Sequence, residues 1–468
     1  VKCWGIGRPG QLGYGPTNDL LAPAAEAINL GAGKTAVQLA IGTHFSCALL
    51  NDESVKCWGS SEGGVLGLGH FSALTAPGLG TIEFGADKSV MMLAAGSQHT
   101  CAYLSDETVK CWGHGTEGQL GYGDNKTLQV PGTGSINLGS GALPFKMVAS
   151  NHTCVRFSDS KVNCWGPGYE GQLGYGNTNS LAAPSLSPIN FSTAAGAIDI
   201  AVGGAHTCAI LQDYSVRCWG EGGSGQLGYG SATRSLLGPT TSPVALGAGK
   251  TAKRIVAGAY HTCALLNDNS VKCWGSGQKG QLGTGVFGDL WTPPAAPVDF
   301  GIERTAVSLV AGHEFTCALL DDATVRCWGD GSNGQLGVGY FSGNAYRVSP
   351  QTAINFGQGL TARSITAGWH HACAILNDSS LKCWGDNSRG QLGYGNRDDY
   401  FTPNYIPVNL GSGVAAVQAV AGGMHSCAVL DNQTAKCWGE AAEGQLGIKD
   451  ITVWAPLERS ISYEPMIF

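Results

Sequence analysis

The chain has 468 residues, with 27 Lys or Arg against 34 Asp or Glu, a formal net charge of −7 and only 13% charged residues. That balance supplies no basic stripe for nucleic acid or anionic lipid, and no apolar run is long enough to span a membrane as a helix. Low charge combined with 72 Gly suits short strands joined by tight turns.

The first predicted element is incomplete. Residues 1–36 begin mid-hairpin at Val1-Lys2-Cys3-Trp4, so an export signal is expected upstream. The triplet Cys-Trp-Gly then recurs, with Trp at 4, 58, 112, 165, 219, 274, 328, 384 and 438, in steps of 53 to 56 residues. Such a period marks a repeat array whose units bury apolar faces against neighbours. Eight units are expected after the partial one, at 37–90, 91–143, 144–197, 198–252, 253–306, 307–362, 363–416 and 417–468.

Within a unit, residues 258–285 (GAYHTCALLNDNSVKCWGSGQKGQLGTG) alternate, turn at Asn267-Asp268-Asn269 and alternate again, which predicts a β-hairpin. If Leu266 faces Ser270 across the turn, Cys263 stands opposite Cys273, within disulfide reach. The same ten-residue separation joins Cys47 to Cys57, Cys101 to Cys111, Cys154 to Cys164, Cys208 to Cys218, Cys317 to Cys327, Cys373 to Cys383 and Cys427 to Cys437. Eight disulfides are therefore predicted, each stabilising by at most roughly 2.5–3 kcal/mol, and with them an oxidising compartment. The short Cys-x2–4-Cys loops of zinc sites and the Cys-x-x-Cys of redox catalysts are both missing. Cys3 is left unpaired, its partner lying upstream or on another molecule.

After each hairpin comes Gly-Gln-Leu-Gly, with Gln at 11, 119, 172, 226, 281, 335, 391 and 445 and Val65 in the second copy. Its glycines suit a sharp turn that tucks one Leu beneath it; no Lys-Ser/Thr or helical pattern follows to make a phosphate loop. A Pro-containing stretch and a short strand such as Ile354-Asn355-Phe356-Gly357 are expected outermost. The apolar run Ile255-Val256-Ala257-Gly258 and its counterparts are expected to form the innermost and most buried strand. Each unit then reads as a four-stranded blade.

A His precedes the first hairpin Cys by two residues at His99, His152, His206, His261, His371 and His425. A metal ring is the functional reading, but Phe45 and Phe315 hold the same place in two units, so a packed His bonded to backbone is expected. The repeated Trp is expected to pack between blades. Clustered indoles for light sensing would need companions for Trp369, and none is found. Sequons at Asn125, Asn151, Asn190, Asn377 and Asn432 are candidate glycosylation sites, the last two in predicted turns. Asp52, Asp106, Asp213, Asp268, Asp322 and Asp378 fall in turns, where Asp is common, and no catalytic or metal-binding set emerges. No cofactor is expected.

The pattern Gly-x-x-His-Thr-x-Ala-Leu-x-x-Asp-x-x-Val-x-x-Trp-Gly-x-Gly-x-x-Gly-Gln-Leu-Gly-x-Gly, matched almost throughout by residues 258–285, resembles the repeat of the regulator of chromosome condensation family. The resemblance implies an all-β propeller of four-stranded blades, commonly seven. Its members include a nuclear guanine-nucleotide exchange factor, ubiquitin-ligase accessory domains, a plant ultraviolet photoreceptor and a bacterial β-lactamase inhibitor. The familiar nuclear and cytosolic members lack the paired Cys, so this chain resembles an exported branch. Eight full hairpins exceed a seven-blade ring, and the two chain ends are not expected to complete a ring between them. The expected alternatives are missing upstream sequence, a larger ring, or an open or helical array. The functional expectation is a non-enzymatic extracellular structural or adhesive scaffold, such as a filament or surface-appendage subunit bound to itself. The alternative is a secreted propeller binding extracellular proteins or glycans, with segment 286–297 as a contact loop. Guanine-nucleotide exchange follows from resemblance alone.

Overall fold

The computed structural model describes residues 28–69, 81–139, 141–230, 235–339 and 350–440. Cys3, Gln11 and Gln445 lie outside the described residues. Among these residues there are eight antiparallel sheets, whose first strands are Ala36–Ile41, Val90–Ala95, Pro144–Ala149, Ala197–Val202, Ala252–Ala257, Ala306–Ala311, Ala362–Ala367 and Ala416–Ala421. We number the sheets one to eight in that order.

The fifth sheet shows the rule. Ala252–Ala257 pairs with His261–Leu266, which pairs with Val271–Gly275, and Cys263 stands directly opposite Cys273. This is a pair without mutual backbone hydrogen bonds, the closer of the two antiparallel spacings. The Cα atoms are 4.1 Å apart and the disulfide is formed. All eight predicted bridges are present.

Two expectations are corrected. The most buried strand is the middle one, because it is covered by a neighbouring sheet on each face; His261–Leu266 is buried at every residue, whereas Val256 and Ala257 of the first strand are only half-buried. The first strand ends at the central opening, where no further layer covers it. The segment Ile354–Phe356 is not a strand. Ile354 N donates to Val325 O (2.9 Å), and Phe356 lies edge-on to Trp384 of the next sheet, so the segment is a wedge between sheets. The fourth-strand place goes to residues soon after Gly-Gln-Leu-Gly: Ser235–Leu236 in sheet four, and single bridges at Leu128, Leu181, Leu290 and Tyr400 elsewhere.

Neighbouring sheets are joined by a repeated relay. Trp219 Nε1 donates to Gln172 O (2.9 Å), and Thr207 Oγ1 donates to the same carbonyl (2.9 Å). The hydroxyl in turn lies 2.8 Å from His152 Nε2. Because the Thr hydroxyl already donates, the imidazole is the donor from Nε2, leaving Nδ1 deprotonated, and His152 Nδ1 is buried without a partner among the described residues. The expectation of backbone partners is thus corrected: the histidines bond a side chain of the next sheet. Where Phe315 replaces His, the facing position is Ala372 instead of a hydroxyl.

The His–hydroxyl bond of this relay also joins the last sheet to the first. His425 Nε2 meets Ser46 Oγ, and Ile28 N donates to Ala435 O (3.2 Å), matching Val298 N to Val271 O (2.7 Å) within the array. Ile28, Leu30 and Trp58 share one core cluster with Cys427 and Cys437. The sheets therefore form an eight-membered ring, the larger of the rings expected, and the wedge at 28–30 supplies the junction that the chain ends were not expected to complete. Trp58 Nε1 is buried with no partner among the described residues, whereas the six indoles at 112, 165, 219, 274, 328 and 384 each donate to a carbonyl of the preceding unit.

Candidate functional site

Each first strand ends in a tight turn, and these eight turns meet around the axis. Backbone bonds run from turn to turn: Thr43 N to Ser97 O, Ser97 N to Ser150 O, Gly204 N to Ala259 O, Ala259 N to His313 O, His313 N to Trp369 O and Trp369 N to Gly423 O, at 2.9–3.4 Å. They surround a cavity of about 500 Å³ lined by all eight sheets. The backbone requires nothing bulky here, since its equivalent positions accept Gly204, Ala259 and Gly423.

The side chains break this symmetry. On sheets five to seven, Tyr260 stands edge-on to His313 (6.2 Å between centroids, 90°), and His313 lies 6.2 Å from Trp369 and 5.9 Å from His370. Tyr260 is 42% and Trp369 38% exposed, unlike the eight fully buried Trp of the Cys-Trp-Gly triplets from 58 onward. Across the opening the lining is small and polar. Ser97 Oγ donates to Asn151 Oδ1 (3.0 Å), and Asn151 Nδ2 donates to Gly204 O (3.4 Å).

Glu221, on sheet four beside the aromatic arc, is the one carboxylate among the described residues of the lining, which include no Lys or Arg. No donor among the described residues reaches its carboxylate. Burial, then the charge of Glu170, pushes its pKa up. Burial pushes the His313 pKa down, partly opposed by Glu314, so the ring is neutral at pH 7.

The sequence singled out Trp369 but not its union with His313, which the ring creates across about 55 residues of chain. A signal was available in the residues between the turn Gly and the repeated His: Ala259-Tyr260, His313-Glu314 and Trp369-His370, against Gly204-Ala205 and Gly423-Met424. Trp369 has imidazoles beside it instead of further indoles. The six repeated histidines are fully buried and structural, with pKa values driven down to about 3 or 4 by burial. Among the described residues no three His, Cys, Asp or Glu come together as a metal site. The turn Asp residues hold their own turns, as Asp268 does in accepting from Ser270 N and Oγ. All five sequon Asn are exposed; Asn151 Nδ2 donates to Gly204 O in the rim and Asn377 Nδ2 donates to Gly359 O.

The chain matches the RCC1-like domain over residues 146–462 and the Regulator of chromosome condensation (RCC1) repeat over 36–64 and 93–119. It is 30% identical over 361 residues to the Ultraviolet-B receptor UVR8 of Arabidopsis thaliana, covering 77% of this chain and 79% of that protein. Against the human E3 ubiquitin-protein ligase HERC2 it is 27% identical over 343 residues, 73% of this chain but 7% of HERC2. Yeast RCC1 (Prp20), in its structure bound to Kap60, matches with a TM-score of 0.62 at 22% identity, covering 85% of this chain and 91% of that one, a likeness of fold. The repeat pattern, the ring of sheets and these matches together place the chain in the RCC1-like family.

Proposed function

We propose that this chain is a non-enzymatic, secreted binding propeller that holds a protein partner against its axial face. The observation that carries this reading is the broken symmetry of the rim: Tyr260, His313 and Trp369 stand on three consecutive sheets where the fold accepts Gly or Ala, and Tyr260 and Trp369 are exposed. Exposed aromatics around a depression are typical anchors of protein recognition. Yeast RCC1, of the same fold, was solved in complex with Kap60. The eight disulfides support an oxidising, extracellular location.

The test is capture from the native extracellular fluid with the wild-type protein and with Y260A/H313A/W369G, whose new residues are those of equivalent rim positions. A partner held by the first and lost by the second is expected. Equal retention by both overturns the assignment of this face. The scaffold reading drew on a disulfide in every repeat, low charge, high Gly and an array that does not close, and the packing of sheet eight on sheet one removes the last of these. Electron microscopy of native, unreduced material is expected to show discrete rings; continuous fibres would restore the filament. We propose glycosylation at Asn432 first, since it is exposed in a turn and its Oδ1 is the atom engaged by Thr434.

A further inference from the structure

We infer that the axial cavity binds an alkylammonium group, a lysine or N-methylated lysine side chain of the partner, against the faces of Tyr260 and Trp369 with Glu221 as counter-charge. This rests on the reading of the axial face as the binding face and specifies its chemistry.

Four observations lead there. Two exposed aromatic rings flank His313 along one wall, and aromatic faces attract cations through their quadrupoles. The described lining holds a carboxylate and no Lys or Arg, so an anionic ligand would meet repulsion with no compensating partner. Glu221 is half-buried and accepts no hydrogen bond from the described residues, which leaves its charge available to a ligand. On the opposite wall Ser97 and Asn151 are bonded to each other and to Gly204 O, so the amide and hydroxyl fork that would orient a sugar is already occupied. His313, neutral at pH 7, adds no positive charge of its own.

The test is calorimetric titration of the full chain with choline and with 3,3-dimethylbutan-1-ol, its neutral isostere, then with a lysine-containing peptide and the same peptide acetylated at that lysine. Choline and the lysine peptide are expected to bind at least about tenfold tighter than their neutral counterparts. The preference should be lost in E221S and in Y260A/W369G, substitutions that equivalent positions already carry at Ser276, Ala205 and Gly423. Equal binding of charged and neutral probes overturns the inference, as does binding of glucose or cellobiose in place of the cations. Binding of choline but not of the lysine peptide overturns the protein source while keeping the cation. If no cation binds while Y260A/H313A/W369G still loses the captured partner, the alkylammonium assignment fails and the proposed function stands.

Discussion

Ser46 Oγ in the first sheet lies 3.0 Å from His425 Nε2 in the eighth. The same bond joins His371 to Ser426 (2.8 Å) and His261 to Thr316 (2.8 Å), so the junction between the last sheet and the first is made as the interior ones are. An array with this contact at both ends of its sequence leaves no sheet face uncovered.

The histidine relay makes stability depend on pH. Each buried His is neutral when folded, with a pKa lowered to about 3 or 4, while the unfolded chain protonates near 6.5. Protons therefore favour the unfolded state below about pH 6.5, and stability is lost as pH falls toward the folded values. Thermal melts should show the midpoint falling from pH 7 to pH 4. In H206F/T262A, which copies the natural pairing of Phe315 with Ala372, the fall should be shallower. An unchanged slope would exclude this His as a contributor.

The glycine after each buried Leu is required by the indole above it. A Cβ on Gly283 would lie 2.9 Å from Trp328 Nε1, and its φ is +68°. G283A should destabilise by more than about 1 kcal/mol through clash and left-handed strain together. W328F, which keeps an aromatic but loses the bond to Gln281 O, should cost at least about 1 kcal/mol. Chemical denaturation midpoints check both.

Each disulfide closes a short local hairpin, so one removal should be mild and the full set decisive. C263S/C273S is expected to lose at most about 3 kcal/mol. Reduction of all eight bridges should lower the melting temperature far more than any single pair and abolish refolding to the ring. A reduced protein melting within a few degrees of the oxidised one would show that interface packing, not the bridges, holds the blades.

Ligand binding at the axial site should weaken in acid. His313 faces Glu314, His370 and Asp330, with Tyr260 and Trp369 as its aromatic neighbours, and Glu221 faces Glu170. Protonation of His313 places a positive charge in the cavity, and protonation of Glu221 removes the counter-charge. Both changes oppose a cation as pH falls, and the raised pKa of Glu221 moves its part above the usual carboxylate range. Choline affinity measured from pH 8 to pH 4 should decline, with E221S losing part of that decline.

The hairpins, their register and their bridges were legible in the sequence because they are local. A three-residue turn and period-two alternation place Cys263 opposite Cys273 whatever surrounds them. The assignment of Ile354-Asn355-Phe356 as an outer strand failed for the converse reason. Its apolar alternation serves burial against Trp384 of another unit, and an inter-sheet wedge and a strand present the same pattern of buried side chains. The histidines were legible as structural from Phe45 and Phe315, but not their hydroxyl partners, which lie 54 to 56 residues away or, for His425, 379 residues back.

By itself the sequence determined the repeat, the hairpin with its disulfide, and the family pattern, all of which depend on interactions within one period of chain. Only the tertiary structure decided that eight units complete a ring, that residues 28–30 wedge the junction, and that Tyr260, His313, Trp369 and Glu221 border one cavity. Those outcomes depend on the small rotation between successive blades accumulated over eight steps. No local pattern encodes that sum, because it is set by how each Trp, wedge and His–hydroxyl bond seats one sheet on the next.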